Sequence, residues 1–420
     1  MESLQLVFTL WLSEVPNGST ELMHTATTTM RREADRSDSM SETKHRGEIV
    51  SIQYLRGLAA FGVLLCHASL ALLDKEQSLV PLGAGAAGVD LFFVISGFIM
   101  FYTTANRPPT TGEFYLRRFI RIFPLYFAVS TLAFLIARVA PFATRTFSPN
   151  LFDYIRSILF VPYYATTGQA ATFLIPLVRP EVGQGWTLDY EVFFYAIFGL
   201  SLYLPQRYRM RAFMAVFLVL ATIGVVFRPS GAIFSTYTDS LLLEFVLGVV
   251  LGHVLIREWR NSIKIAGVLL LISSGITSVA IQMFTTSSLP RVIAFGLPAA
   301  SIVAIALWLE HAELMPRWPF LLLLGDASYS LYLLHGFVLA VLRRVWQRYF
   351  DVNLISTHII FILVSVLAVE VVGIVAFRYA ERPVTRTLTA AFKKAGLIRD
   401  KQKARESQSR SHVSETVHAI

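Results

Sequence analysis

Arg56 and His67 stand eleven residues apart in one apolar stretch. On an α-helix that spacing is about three turns, which sends both side chains out on one face about 16 Å apart along the axis. A guanidinium at one end suits phosphate or carboxylate oxygens, and an imidazole at the other suits proton transfer. Read more plainly, Arg56 snorkels to an interface and His67 hydrogen-bonds a neighbouring helix. Four further ionisable residues, Asp90, Glu191, Glu244 and His335, also lie in apolar stretches. Each falls, like His67, within about two turns of the same end of its stretch, so five helices could supply one polar layer. A short connection between the first two stretches would make them antiparallel and bring Asp90 beside His67, where its carboxylate would orient the ring. Glu244 reads as a structural carboxylate paired with a basic or hydroxyl partner.

Three more groups qualify. Arg117, Arg118 and Arg121 cluster where another apolar stretch begins, and their planar forks match phosphate oxygens, although basic residues also mark the cytoplasmic ends of membrane spans. Ser328, Tyr329, Ser330, Tyr332 and His335 form a strip on one helical stretch, with Ser328 and His335 two turns apart on nearly one face. Such a strip could guide a ligand, while serine hydroxyls there also join helices. Cys66 points about 100° away from His67 and reads as a buried bystander. No Gly-x-Ser-x-Gly or His-Glu-x-x-His motif occurs, and one cysteine excludes intramolecular disulfides and Cys-rich zinc sites.

The elements that must position these residues are membrane helices. Of 420 residues 55% are hydrophobic and 15% charged, and mean hydropathy is +0.57; soluble domains carry about a quarter charged residues. Windows of about 20 apolar residues recur without the alternation of barrel strands, so the fold class is all-α, a polytopic helical bundle. Ten spans are predicted: 49–73, 86–105, 120–139, 186–204, 210–227, 237–256, 263–283, 291–309, 321–341 and 357–380. Residues 151–164 are too short to span and carry Asp153 and Arg156, so they read as a re-entrant or interfacial helix. An even count places both termini on one side. Arg107, the 117–121 cluster, Arg207, Arg209, Arg211, Arg257, Arg260 and Lys264 then face the cytoplasm together with both basic tails. Arg343, Arg344 and Arg348 fall on the outer side and break the pattern. The net charge of +9 therefore reads as topology, with no nucleic-acid partner. Domain organisation is expected to be a disordered cytoplasmic tail over 1–48, a membrane domain over 49–385 and a basic polar cytoplasmic tail over 386–420.

Several ordered motifs resemble the acyltransferase-3 family of membrane O-acyltransferases. They are Ile52-Gln-Tyr-Leu-Arg-Gly-Leu-Ala-Ala60 with Cys66-His67, Gly88-Val-Asp-Leu-Phe-Phe-Val-Ile-Ser-Gly97, Tyr115-Leu-Arg-Arg-Phe-Ile-Arg-Ile-Phe-Pro124, Trp186-Thr-Leu-Asp-Tyr-Glu191, Gly325-Asp-Ala-Ser-Tyr-Ser-Leu-Tyr-Leu-Leu-His335 and Glu381-Arg-Pro383. The opening motif looks most like rhizobial exopolysaccharide acetyltransferases of the succinoglycan type. Asp189-Tyr190 before Glu191 departs from the Ser-Val-Glu that relatives often show. The tail after the tenth span is too short for the esterase-like domain some members append.

The resemblance implies acetyl-CoA as donor co-substrate, no metal, a glycan or lipid-linked oligosaccharide acceptor, and residence in a bacterial inner membrane. It assigns Arg56, Arg118 and Arg121 to the donor, and His67, Asp90 and Glu191 to catalysis, with His67 acting as general base or as acyl carrier. Trp186, Tyr332 and His335 would contact the acceptor, Trp186 and Glu191 from near the outer surface. Two other classes fit the intramembrane charges: a transporter or flippase for a lipid-linked sugar, and a receptor or scaffold without chemistry. The first family match begins at Ile52, and Met30 and Met40 are alternative starts. Expression from Met40 is accordingly expected to retain membrane insertion and activity; loss of both on fractionation and assay would show that the preceding segment is needed.

Overall fold

The computed structural model describes residues 49–72, 82–105, 108–139, 150–164, 185–257, 290–352 and 354–399. The predicted tail 1–48, the predicted span 263–283 and residues 400–420 lie outside them. The described helices belong to one compact unit that begins at Val50. They are α1 Val50–Leu72, α2 Leu82–Thr104, α3 Thr111–Val139, α4 Leu151–Ile158, α5 Trp186–Ser201, α6 Gln206–Phe227, α7 Ala232–Tyr237, α8 Leu242–Arg257, α9 Leu297–His311, α10 Pro319–Tyr349, α11 Ile355–Ala376 and α12 Arg382–Lys394.

Eight helices among the described residues are long and apolar enough to cross a membrane. The all-α polytopic bundle expected from hydropathy is what the chain forms. The predicted span at 186–204 is the shorter, 16-residue α5. Its surface is that of a membrane protein: along α11, Ile359, Leu363, Leu367 and Val371 are exposed while His358 and Ser365 are buried. Helix α4 shows the same inversion. Asp153 and Ser157 are buried, Leu151, Phe152, Ile155 and Leu159 are exposed, and the Asn150 side chain caps the helix by accepting from the Phe152 N–H at 2.9 Å. That geometry fits the predicted interfacial helix.

Helix α1 is the spine of the site. It carries no capping residue of its own, and Glu310 at the end of α9 takes that place, accepting from the backbone N–H groups of Val50 at 2.7 Å and Ser51 at 3.0 Å. A carboxylate there satisfies orphan donors and complements the helix dipole. Farther along, α1 crosses α10 at a glycine contact. A methyl group at Gly325 would lie 2.2 Å from the Gln53 carbonyl oxygen. Helices α2 and α8 cross in the same manner, since a methyl group at Gly97 would lie 2.0 Å from the Phe245 carbonyl oxygen. Small residues at such crossings let backbones approach where lipid provides no hydrophobic drive.

Two π-helical turns, Val292–Gly296 and Phe377–Glu381, precede Pro298 and Pro383. Proline removes a backbone donor, and a wide turn accommodates the lost hydrogen bond. Each turn adjoins an inward-facing ionic residue, Arg291 before the first and Glu381 at the end of the second. Beyond the second, α12 packs against α3, and Ile398 is buried. The backbone N–H of Arg399 donates to Glu113 at 3.3 Å. The first part of the predicted polar tail is therefore an ordered helix held to the bundle.

Gly325→Ala should force α10 away from α1 and lower stability by roughly 1–3 kcal/mol, the usual scale of overpacking. An unchanged thermal midpoint in detergent would mean that this crossing has slack.

Candidate functional site

His67 on α1 faces His335 on α10, with Nδ1 of His67 2.7 Å from Nε2 of His335. The rings stack at 4.9 Å between centroids and 24° between planes. Nδ1 of His335 lies 2.7 Å from the Tyr332 carbonyl oxygen. His335 is buried and His67 half-buried. Beneath the pair, the Tyr332 hydroxyl meets that of Thr187 at 3.0 Å, and Phe92 lies edge-on to the Tyr332 ring.

Asp90 does not reach this pair. Gly88 packs against Ala59 and Val63, so α2 is staggered against α1. From that contact α1 runs four to eight residues on to His67 while α2 runs two residues the other way to Asp90, an offset of roughly 9–15 Å. Asp90 instead accepts both arms of a guanidinium fork, from Arg291 Nε at 2.8 Å and Nη2 at 2.9 Å. Glu244 lies within electrostatic range of Asp90 and Arg291, but both of its buried carboxylate oxygens lack a hydrogen-bond partner among the described residues, so the basic or hydroxyl partner expected for it is not found there. The Tyr190 hydroxyl donates to Asp239 at 3.4 Å at the edge of the same cluster. Arg291 was missed in the sequence because it sits at a predicted helix start, where a lone basic residue reads as an interface anchor.

The predicted single polar layer is accordingly two levels. Glu191 belongs to the deeper one, toward the end where α1 and α10 begin. It accepts from Ser96 Oγ at 3.0 Å and from the Tyr195 hydroxyl. Arg118 lies over the rings of Phe114 and Tyr195, 5.8 and 5.5 Å from their centroids. Among the described residues it has no carboxylate partner, and its buried Nε has no hydrogen-bond acceptor. Arg56 donates to Ser328 Oγ at 3.0 Å and Gln53 Oε1 at 3.1 Å, within electrostatic range of Arg121, Glu381, Asp326 and Glu191. Arg121 is paired with Glu381 at 2.9 Å and lies over Tyr329; Glu381 also accepts from Ser330 Oγ at 2.6 Å. Arg117 pairs with Glu113 at 2.6 Å. Because α3 starts at Thr111 rather than 120, all three arginines stand inside the helix.

Trp186 at the start of α5 is buried, edge-on to Tyr190. Asp189, the departure noted in its motif, is buried as well. The Glu381-Arg-Pro motif pointed to a residue whose role was not assigned, and Glu381 proves to be the partner of Arg121. No cluster of three or more His, Cys, Asp or Glu side chains able to hold a metal occurs among the described residues.

The arrangement joins a cation-rich level to an imidazole pair through Tyr332 and Thr187. A model of the acyltransferase domain of the acyltransferase-3 family matches residues 49–376. The chain is 31% identical over 326 residues to the exopolysaccharide production protein ExoZ of Rhizobium meliloti, covering 74% of this chain and 93% of that protein. It is 27% identical over 338 residues to the acyltransferase MdmB of Streptomyces mycarofaciens, covering 70% and 80%. With the O-acetyltransferase OatA of Staphylococcus aureus it shares 26% identity over 372 residues, covering 80% of this chain and 57% of that one. No solved structure matches. With the helical bundle and the intramembrane polar levels in place, these matches make the chain a member of the acyltransferase-3 family, a polytopic membrane O-acyltransferase.

Proposed function

We propose that the protein transfers an acetyl group from acetyl-CoA to a sugar hydroxyl of an exopolysaccharide or another cell-surface glycan. The names of ExoZ and OatA support a carbohydrate acceptor and an acetyl group. The observation that carries the reading is the placement of His67 about 16 Å along α1 from Arg56, with polar side chains between the two levels. Acetyl-CoA enters from the basic end. Its phosphates lie against Arg118, which has no carboxylate partner among the described residues, and against Arg56 and Arg121, while the thioester reaches His67.

There Nε2 of His67 takes the proton of the acceptor hydroxyl as its oxygen attacks the thioester carbonyl carbon. The carbon–sulfur bond breaks, and the thiolate recovers the proton from His67, so an ester and CoA thiol leave. In this reading Asp90 acts through the bundle, holding α2 to the segment around Arg291, and Glu191 holds Ser96 and Tyr195 beside the donor path. Trp186 and Tyr332 form the wall below the imidazoles. The membrane domain spans 49–385 with both termini in the cytoplasm, as the positive-inside rule directs, and the membrane is the bacterial inner one.

His67→Ala should abolish transfer, by about 10² to 10⁴ in rate, while purified protein still binds acetyl-CoA. Transfer at the wild-type rate by folded His67→Ala protein would remove this histidine from the chemistry. Arg118→Gln should weaken acetyl-CoA binding without loss of thermal stability, because no ion pair among the described residues is broken. For Arg121 the informative comparison is with Arg121→Gln/Glu381→Gln, which leaves no orphaned carboxylate. Wild-type donor affinity in both Arg118→Gln and the double variant would return these arginines to a purely topological role.

A further inference from the structure

We infer that His335 is the positioning partner of His67, holding it in the tautomer that leaves Nε2 bare and sharing the proton that His67 takes from the acceptor. The inference rests on the proposed base role of His67 and assigns to a second imidazole the place that sequence reading gave to Asp90.

The hydrogen-bond directions follow from one fixed point. The Tyr332 carbonyl can only accept, so Nδ1 of His335, 2.7 Å away, carries a proton. In a neutral imidazole the other nitrogen is then bare, and Nε2 of His335 accepts from the group 2.7 Å away, Nδ1 of His67. With its proton on Nδ1, neutral His67 has its lone pair on Nε2. The backbone carbonyl of one helix turn thus sets the tautomer of a ring on another helix. Tyr332 and His335 are three residues apart on α10, so the carbonyl and the ring are fixed by the same helix turn.

The same chain has a consequence for charge. When Nε2 of His67 accepts the hydroxyl proton, its ring becomes an imidazolium with no carboxylate partner among the described residues. Asp90 is occupied by Arg291 roughly 9–15 Å deeper. The proton on Nδ1 can move across the 2.7 Å contact to Nε2 of His335. His67 is then neutral with its proton on Nε2, and His335 is the imidazolium, donating to the Tyr332 carbonyl and to Nδ1 of His67. The reverse shift restores the proton for the departing thiolate. No proton is gained or lost over the cycle, and no outside acid is required.

A carboxamide tests this directly, because the Gln side-chain oxygen can accept from Nδ1–H of His67 but cannot take its proton, whereas a phenyl ring can do neither. Acetyl transfer is measured for wild type, His335→Gln and His335→Phe at saturating donor, together with acetyl-CoA affinity and thermal midpoint. His335→Phe should lose about 100-fold or more in kcat with donor affinity nearly unchanged, and His335→Gln should recover at least about tenfold of that loss, within the range general-base help supplies. In ¹⁵N-histidine-labelled wild-type protein, the His67 resonances should show Nδ1 protonated and Nε2 bare. Wild-type kcat in His335→Phe, equal losses in both variants, or a His67 protonated on Nε2 in the resting protein would each overturn the assignment. Should His335→Phe fail to fold, the tautomer measurement and His335→Gln decide alone. Absence of transfer by wild type with every glycan acceptor would instead sink the parent reading, while the tautomer would still report on the pair.

Discussion

Hydrocarbon gives a hydrogen-bonding or charged group nothing to bond to, so every such group within the spans must be answered by the protein itself. That constraint explains the inverted surface of α4 and α11, and it explains why the polar side chains gather in discrete sets. Arg291 answers Asp90 with both arms of its fork, Glu381 answers Arg121 and Ser330, and Ser328 and Gln53 answer Arg56. Each set joins helices distant in sequence, so the pairs act as fasteners as well as charge compensation. Breaking one buried partner leaves the other stranded at a cost of about 3–5 kcal/mol.

Against that background two of the groups among the described residues are informative. Arg118 lies on aromatic rings rather than on a carboxylate, and His67 uses one nitrogen on His335 and keeps the other. One is a cation at the basic end of the bundle, the other an imidazole farther along the same polar column. Helix α1 sets the distance between their levels, and its own position is set by Glu310 at its start and by the Gly325 crossing in its first two turns. On the proposed reading, rigid helices rather than loops carry the chemistry, which suits a reaction that needs placement within a fraction of an ångström.

Much of this was legible in the sequence because lipid makes the code coarse: length and hydropathy give helices, and ionisable residues within them give the polar levels. Arg56, His67 and His335 were found that way. What could not be read was which acid meets which base. Counting residues inward from hydropathy boundaries treats helices as level, yet the Gly88 contact staggers α2 against α1 and moves Asp90 away from His67. The wide turns before Pro298 and Pro383 rotate Arg291 and Glu381 inward by amounts that no periodicity reveals.

The most direct test is a structure of the protein in a lipid nanodisc with an acetyl-CoA analogue whose thioester sulfur is replaced by a methylene, so that transfer cannot occur. The phosphates should lie against Arg118, Arg56 and Arg121, and the carbonyl carbon should come within contact distance of the space facing Nε2 of His67. An ordered analogue with its phosphates on Arg291, or with its carbonyl on the far side of the His67–His335 pair from Nε2, would contradict both the direction of donor entry and the role of His67.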